Sequence, residues 1–446
     1  MEIKDIKAVY FVGAGGIGMS AIARYFIRKG LVVAGYDKTP SKLTHQLERE
    51  GMLIHYKENV DEIPHACRDN KSCLVVYTPA IPAEHKELAY FRDGGFTIEK
   101  RAQVLGTLTR THKGLCVAGT HGKTSTSTMC AHIMHQSHLD CNAFLGGISK
   151  NYSTNYILSD QSDYVVIEAD EFDPDHLDIY GTKEAYLESF RHYTTLIQPG
   201  GALIIHKNLE MKQDVQPGVK VYEYSLNEGD FHAENIVIDN GEIKFDFVSP
   251  IENVKNVELG QPVPINIENG VAAMAMAQLN GCTAEELKYG MKTYHGVDRR
   301  FDFKIKNGRH VLLSDYAHHP KEIYQSSKSI RQLYKNRKIT AIFQPHLYTR
   351  TRDFYRDFAD ALSQLDEVIL TEIYPARELP IEGVTSQLIY DNLKPGVEKS
   401  IIRKDEVLDL VKSRDFDVLV ILGAGDLDNY VPQIAKIIEA RDEAKA

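Results

Sequence analysis

The stretch Lys113-Gly-Leu-Cys-Val-Ala-Gly-Thr-His-Gly-Lys-Thr124 decides how the rest of this chain is read. Its first six residues form a short apolar run suited to a strand, its last six a glycine loop, and Ser125 to about Gln136 continues as a helical stretch. Strand, glycine loop and helix in that order open a phosphate site, because the first N–H groups of a helix have no partner inside it. Strict Walker A spacing needs glycine at position 117, where the chain has Val117, so the loop is a shortened variant of G-x-x-x-x-G-K-[ST]. The working parts remain: Gly122 for close backbone approach, Lys123 for β/γ-phosphate charge, and Thr124 to hold Mg²⁺. Glu168, at the tip of the next strand signal Tyr164–Ile167, is placed as the carboxylate beside that ion.

Towards the N-terminus the same unit occurs with different chemistry. Ala8–Val12 is a buried-strand signal that runs into Gly13-Ala-Gly-Gly-Ile-Gly18 and then into the helical pattern Met19–Lys29. Gly13, Gly15 and Gly18 fit G-x-G-x-x-G, and Asp37 closes the following strand Leu31–Tyr36, where a ribose-binding acid would sit. Glycines alone do not separate NAD, FAD and a UDP-sugar, since each brings a pyrophosphate. A further strand, Cys73–Tyr77, precedes Thr78-Pro-Ala-Ile-Pro82. Strands alternating with helices predict a parallel βαβ sheet over residues 1–110.

Towards the C-terminus, Gly201–Ile205 reads as a strand of the central region. Val221 to Glu258 reads as a small antiparallel patch with a turn at Asp239-Asn-Gly241. From Gly296, after the helical segment Ala284–Tyr294, strands at His310–Ser314, Ile339–Phe343, Glu367–Thr371 and Val418–Leu422 alternate with helices. The fold class is therefore α/β in three domains: a Rossmann-like domain at 1–110, a P-loop ATPase-type domain at 111–295 and a second Rossmann-like domain at 296–446. In that third domain Asp315-Tyr-Ala-His-His-Pro320 and Phe343-Gln-Pro-His-Leu-Tyr-Thr-Arg-Thr-Arg352 each follow a strand, where open α/β sheets bind ligands. Arg350 or Arg352 is suited to clamp a carboxylate.

The chain has 446 residues, enough for two to four domains, with ordinary globular composition. Its 52 basic and 62 acidic residues leave a net charge of −10, which disfavours nonspecific binding to nucleic acid or anionic membrane. Six cysteines form no C-x-x-C pair, and no apolar run reaches 18 residues. A cytoplasmic protein with free thiols is expected, with no disulfide framework and no structural zinc.

Phe11–Ser20 (FVGAGGIGMS), Ala118–Thr128 (AGTHGKTSTST), Asn266–Ala275 (NIENGVAAMA), Gly296–Phe301 (GVDRRF), Ser314–Pro320 (SDYAHHP) and Phe343–Phe354 (FQPHLYTRTRDF) form an ordered series along the whole chain. With that series the chain resembles the Mur ligases, enzymes that add amino acids to a UDP-sugar in peptidoglycan synthesis. The resemblance points to the member that joins L-alanine to the lactyl carboxylate of UDP-N-acetylmuramate, with ATP and Mg²⁺, through an acyl phosphate. It implies a UDP-sugar site at Gly15, Gly16, Ile17, Gly18, Asp37, Thr78 and Arg101. It assigns ATP to Gly119, Thr120, His121, Gly122, Lys123, Thr124, Ser125, Asn266, Asn269, Arg300, Asp315 and Tyr316, and metal to Thr124, Glu168 and His176. The third domain would supply His318, His346 and Arg350 around L-alanine, these three and Lys123 being the catalytic candidates, with His346 or His319 accepting the amine proton. Partners are small molecules, and the chain is expected as a monomer or homodimer.

Two substitutions and one larger departure from the family pattern stand out. Leu347 replaces a commonly basic residue, and Ile265 a histidine often found before Asn266. Family members also carry about 15–20 residues, roughly one strand and loop, between Glu-Ala-Asp-Glu and Asp-His-Leu-Asp, whereas here Glu168-Ala-Asp-Glu171 runs almost directly into Asp175-His-Leu-Asp178. Either a central strand is absent and His176 is displaced, or the chain as it stands lacks a segment of the natural protein. Two other functions remain open at this point. An NAD-dependent oxidoreductase would use the first glycine loop but leave Lys123 and Glu168 idle, and a noncatalytic nucleotide-binding protein would keep the fold without turnover.

Overall fold

The computed structural model describes residues 5–78, 81–82, 84–119, 122–168, 183–209, 211–239, 241–298, 300–376 and 378–444. They fall into two compact units, one of residues 1–232, 247–254 and 269–295 and the other of 233–246, 255–268 and 296–446.

The first unit opens with a five-stranded parallel sheet made of β1 (Ala8–Val12), β2 (Val32–Tyr36), β3 (Leu53–His55), β4 (Cys73–Tyr77) and β5 (Thr97–Lys100), in the order β3-β2-β1-β4-β5. Helices α1 (Ile17–Arg28), α2 (Lys42–Arg49), α3 (Lys86–Asp93) and α4 (Arg101–Thr111) connect and follow these strands. All five residues of β1 are buried, which is why its sequence is apolar throughout instead of alternating. The chain leaves β1 in one direction along the sheet and later returns on its other side as β4. The crevice at the carboxyl ends of β1 and β4 is therefore a switch point, where such sheets bind ligands.

The same unit holds a four-stranded sheet, β6 (Lys113–Val117), β7 (Asn142–Ser149), β8 (Thr154–Ile157) and β9 (Tyr164–Glu168), in the order β6-β9-β7-β8. The helix α5 (Lys123–Gln136) follows β6. It starts two residues before the Ser125 expected from sequence, so Lys123 and Thr124 lie in its first turn. Side chains of both sheets pack into one core that includes Ile22 and Phe26 of α1 with Phe144, Val165 and Ile167. Strands β7 and β8 form an antiparallel pair that sequence periodicity did not register. Gly146 and Gly147 interrupt the strand signal there.

Beyond helix α6 (Lys183–Thr195), β10 (Ala202–His206) pairs in parallel with β11 (Lys220–Tyr224) as a two-stranded sheet. This corrects the expectation of one antiparallel patch from Val221 to Glu258. The alternation in Lys-Val-Tyr-Glu-Tyr224 marks a half-exposed strand but carries no information on its partner. The remaining strands of that stretch, β12 (His232–Asp239), β13 (Glu242–Val248) and β14 (Val254–Glu258), do form a sheet in that order, with Gly241 at φ +78° at the expected turn. Helices α7 (Ile265–Leu279) and α8 (Ala284–Thr293) follow. The shortened join and its Asp175–Asp178 motif lie outside the described residues.

The second unit contains a six-stranded sheet of β15 (Asp302–Lys306), β16 (Val311–Asp315), β17 (Ile339–Phe343), β18 (Glu367–Leu370), β19 (Glu398–Ile401) and β20 (Val418–Leu422). Its order is β15-β16-β20-β17-β18-β19, parallel except for β15. Helices α9 (Pro320–Leu333), α10 (Tyr348–Leu362), α11 (Gln387–Asn392), α12 (Val407–Ser413) and α13 (Val431–Glu443) complete it. Strands β16 and β17 flank β20, so the loops that follow all three open at one switch point. Among the described residues no helix is long and apolar enough to cross a membrane, and all six cysteines are free.

Candidate active site

The register of the central sheet places Val117, the last residue of β6, opposite Glu168. Thr124 in the first turn of α5 donates its hydroxyl to Glu168 Oε1 at 2.7 Å. The other carboxylate oxygen accepts the Gly146 N–H at 3.0 Å and the Ser127 hydroxyl at 3.3 Å. A Cβ on Gly146 would lie 2.5 Å from Glu168 Oε2, so only glycine lets the buried carboxylate reach its place. Gly122 caps α5 in the left-handed region at φ +76° with no side-chain cap. The first N–H groups of α5 therefore have no Ser, Thr, Asn or Asp side chain competing for them. Lys123 Nζ curls back to the Gly119 carbonyl at 2.8 Å. Asn269 stands against Gly122, where an added Cβ would be 2.5 Å from its Oδ1, and Thr126 donates to the same oxygen at 3.4 Å.

This donor set fits Mg²⁺. A hydroxyl and a carboxylate, both hard oxygen ligands, stand together at a phosphate-type loop, and Mg²⁺ is commonly held by one or two carboxylates plus substrate phosphates. Among the described residues no group of three or more His, Cys, Asp and Glu side chains could hold a metal without such phosphates. Thr120, His121 and His176 of the expected set lie outside the described residues.

At the first glycine loop, Gly13 adopts φ +92°, and a Cβ there would lie 2.6 Å from the Thr78 methyl carbon. Asp37 accepts the Gly15 N–H at 2.7 Å with one oxygen and the Thr39 N–H at 3.0 Å with the other. The acid expected to meet a ribose thus also ties its own loop down, and the Gly15 N–H expected at a diphosphate is already engaged. Gly16 precedes α1 without a side-chain cap, and Ile17 begins the helix largely exposed. Arg101, the first residue of α4, lies over Gly18, where an added Cβ would be 2.7 Å from the guanidinium. A helix N-terminus and an arginine therefore meet at one spot, an arrangement suited to an anion.

In the second unit the two histidine motifs come together at the ends of β16 and β17. The rings of Tyr316 and His318 lie 5.2 Å apart, those of His318 and His346 5.8 Å, and those of His346 and Tyr374 5.7 Å in a stacked pair. The Arg300 guanidinium stands 5.5 Å from the Tyr316 ring centre. Burial pushes the Asp315 carboxyl up, against the opposing pull of its bond from Ser326 and the charge of Arg300. Burial would also raise Glu322, yet His318, the backbone N–H groups of His318 and His319, and Arg300 hold it below the usual range. Burial, then His318 and Arg350, hold the His346 imidazole below the usual histidine range, with Glu378 pulling the other way. His346 Nδ1 and Arg350 Nη1 are shielded from solvent and have no protein partner among the described residues. His319 instead caps α9, accepting from the Lys321 N–H at 3.4 Å.

Asn266 and Asn269 fall in different units. Asn266 donates to Gln261 Oε1 at 3.0 Å, and the Gln261 amide donates to the carbonyls of Arg300 and Phe301, so Asn266 supports the start of the third domain. Sequence reading missed Ser127, Gly146, Gln344 and Asp426. The glycine pair inside β7 was the available signal for Gly146, since strand glycines mark close approach. Gly423-Ala-Gly425 after β20 was the signal for Gln344 and Asp426: Gln344 donates to Asp426 at 2.9 Å, and a Cβ on Gly425 would collide with Gln344 Oε1.

A glycine loop with a lysine and a Thr–Glu pair, together with a second glycine loop whose helix terminus faces an arginine, is the equipment of a nucleotide-using α/β enzyme. The chain belongs to the Mur ligase family. Family models match the Mur ligase catalytic domain at residues 8–113, the Mur ligase middle domain at 163–277 and the Mur ligase glutamate ligase domain at 299–425. The chain is 64% identical to the UDP-N-acetylmuramate–L-alanine ligase of Phocaeicola vulgatus, over 99% of this chain and 100% of that protein. It is 55% identical to the protein of the same name from Parabacteroides distasonis, over 98% of each. The crystal structure of the UDP-N-acetylmuramate–alanine ligase of Thermotoga maritima matches with a TM-score of 0.75 at 25% identity, covering 97% of this chain and 99% of that one. The Phocaeicola alignment spans 458 positions against the 446 residues here, so that relative carries residues this chain lacks.

Proposed function

We propose that this chain is an ATP-dependent ligase that joins L-alanine to the lactyl carboxylate of UDP-N-acetylmuramate. The observation that carries the reading is near full-length identity to ligases of that name, with the Lys123, Thr124 and Glu168 constellation intact. A carboxylate does not acylate an amine at neutral pH, so it first takes the γ-phosphoryl group of ATP to become an acyl phosphate. The alanine amine then adds to the carbonyl, and phosphate leaves.

Lys123 and the first turn of α5 bind and orient the triphosphate, which brings two anionic reactants together. Thr124 and Glu168 would hold Mg²⁺, which supplies charge neutralisation at the transferring phosphoryl group. Gly18 and Arg101 at the N-terminus of α1 receive the diphosphate of the UDP-sugar, with Thr78 and Asp37 shaping that crevice. In the second unit Arg350 suits the alanine carboxylate. His346, whose imidazole pKa burial and then His318 and Arg350 hold below the usual histidine range, suits the amine proton. The division at residues 110 and 295 is part of this proposal, which assigns one of these three groups of residues to each domain. A reducing cytoplasm suits the six free thiols.

The test is phosphate release with ATP, Mg²⁺ and UDP-N-acetylmuramate, with and without L-alanine. Alanine-dependent release is expected, lowered about 10²–10³-fold or more in Lys123→Ala, the cost typical of removing one group that stabilises developing charge. Tight UDP-sugar binding with no release would instead favour a noncatalytic nucleotide-binding protein, the reading that the shortened join raises.

A further inference from the structure

Helix α10 starts in an unusual way. Its N-cap is Leu347, which adopts φ +71° and offers no capping side chain. The cap comes instead from a loop 29 residues away: Glu378 Oε2 accepts the Thr349 N–H at 3.0 Å, and its Oε1 accepts the Thr349 hydroxyl. The Tyr348 and Thr349 N–H groups, the Thr349 hydroxyl and His346 hold the Glu378 carboxyl below the usual range, against burial. A carboxylate at a helix N-terminus is stabilised by the unpaired N–H groups there.

The loop that delivers Glu378 is stitched to the loop after β17 at several points. The Tyr374 N–H donates to the Pro345 carbonyl at 2.8 Å, the Leu347 N–H donates to the Tyr374 carbonyl at 2.9 Å, and the Tyr374 ring stacks on His346. Ala376, at φ +49°, makes the bend that turns the chain back toward α10. Between these fixings stand His346 and Arg350, each with a shielded nitrogen that has no protein partner among the described residues. The terminus of α10 is thus occupied from within, and Arg350 is left as the nearby cation that an incoming carboxylate can meet.

We infer that Glu378 is a positioning residue for the amino-acid substrate, holding the first turn of α10 so that His346 and Arg350 face it. The inference rests on the ligase reading above. It implies that Glu378 shapes alanine binding and leaves ATP and the UDP-sugar untouched. The charged and titratable groups around His346 are His318, Arg350 and Glu378, with Tyr374 stacked on its face.

Steady-state kinetics of the full chain test this, with ATP, UDP-N-acetylmuramate and L-alanine each varied. Glu378→Ala is expected to raise KM for L-alanine about tenfold, the scale of one lost helix-terminal anchor, while both other KM values stay within about twofold. Glu378→Gln, which keeps an acceptor for Thr349, is expected to recover most of that loss. It should also move the acid limb of the kcat/KM profile to lower pH, because the charge that raises the His346 pKa is gone. Titration of the His346 ring by NMR gives the same shift without turnover, so it decides the point even if the wild-type chain shows no alanine-dependent phosphate release, which would sink the ligase reading alone. An unchanged KM for L-alanine in Glu378→Ala, a parallel rise in all three KM values, or a His346 titration unmoved by Glu378→Gln would overturn the inference.

Discussion

The two glycine loops of the first unit share a plan and differ in one respect that sets their chemistry. Each follows a parallel strand, opens a helix without a side-chain cap, and faces a carboxylate from the end of a neighbouring strand, Asp37 or Glu168. At Gly13–Gly18 that carboxylate accepts backbone N–H groups and closes the loop, and the cation arrives from elsewhere as Arg101. At Gly119–Thr124 the carboxylate meets a hydroxyl, and the cation, Lys123, belongs to the loop itself. The first arrangement has donors for an anion and nothing poised to transfer a group. The second sets Lys123 and Thr124 on one helical turn against the Glu168 carboxylate at the end of β9, a cation and two hard-oxygen groups of the kind that phosphoryl transfer uses.

The sharpest way to break that comparison is to fill each loop with one methyl group. Gly122→Ala forces a left-handed alanine, at about 1–2 kcal/mol, and pushes Cβ against Asn269. A rise in KM for ATP of about tenfold or more is expected, about 1.4 kcal/mol per decade, with UDP-sugar affinity within twofold. Gly15→Ala meets Asp37 Oδ2 at 2.8 Å, and the reverse pattern is expected, read by calorimetric titration with the UDP-sugar. If either variant moved both affinities together, the loops would not be separate sites.

A smaller effect distinguishes how the two helices are moored. Helix α5 carries His132, buried between the Tyr152 hydroxyl at 2.7 Å and the Thr293 hydroxyl at 2.9 Å. Burial, followed by the nearby His295 and His135, lowers its pKa to about 4. The unfolded chain, with a histidine pKa of about 6.5, binds a proton over that window and the folded chain does not. The His132 contribution is therefore complete above about pH 6.5 and lost as pH falls towards 4, to a ceiling of order 3 kcal/mol at about 1.36 kcal/mol per pH unit. Urea denaturation from pH 7.5 to 4.5 should show a steeper loss for the wild type than for His132→Asn. Helix α1 is anchored by Arg24 to Glu50 at 2.5 Å.

The smallest effect is expected at Arg28. It reaches from α1 to Asp160 at 2.7 Å, but both side chains are about half exposed or more. Arg28→Ala should leave the melting temperature unchanged within error in moderate salt, because exposed ion pairs gain little beyond the entropy of holding them. A clear drop in calorimetry would mean that the contact between α1 and the central sheet depends on that pair, not on the apolar core around Phe26 and Phe144.

Much of this molecule was legible in the sequence because parallel α/β units write themselves locally. Fully buried strands such as Ala8–Val12 and Val418–Leu422 appear as unbroken apolar runs, and glycines mark the loops that follow them. The chemistry of Lys123, Thr124 and Glu168 was legible for the same reason, since the strand and the first helical turn place those side chains wherever such a unit forms. Pairing was not legible. That β11 joins β10 in parallel, or that β7 and β8 pair around Gly146, depends on which surfaces meet, and strand periodicity reports a face without its partner.

What the sequence by itself determined, then, is the set of units and the reactive groups each one carries. Only the tertiary structure decided how those groups are spent. It turned Asp37 onto its own loop, gave Gly146 to the Glu168 carboxylate, and brought Glu378 from 29 residues away to cap α10. These are hydrogen bonds between segments distant in the chain, and their geometry exists only once the sheets have placed both ends. The partner of a polar group is set by long-range packing, whereas its chemical type is written at its own position.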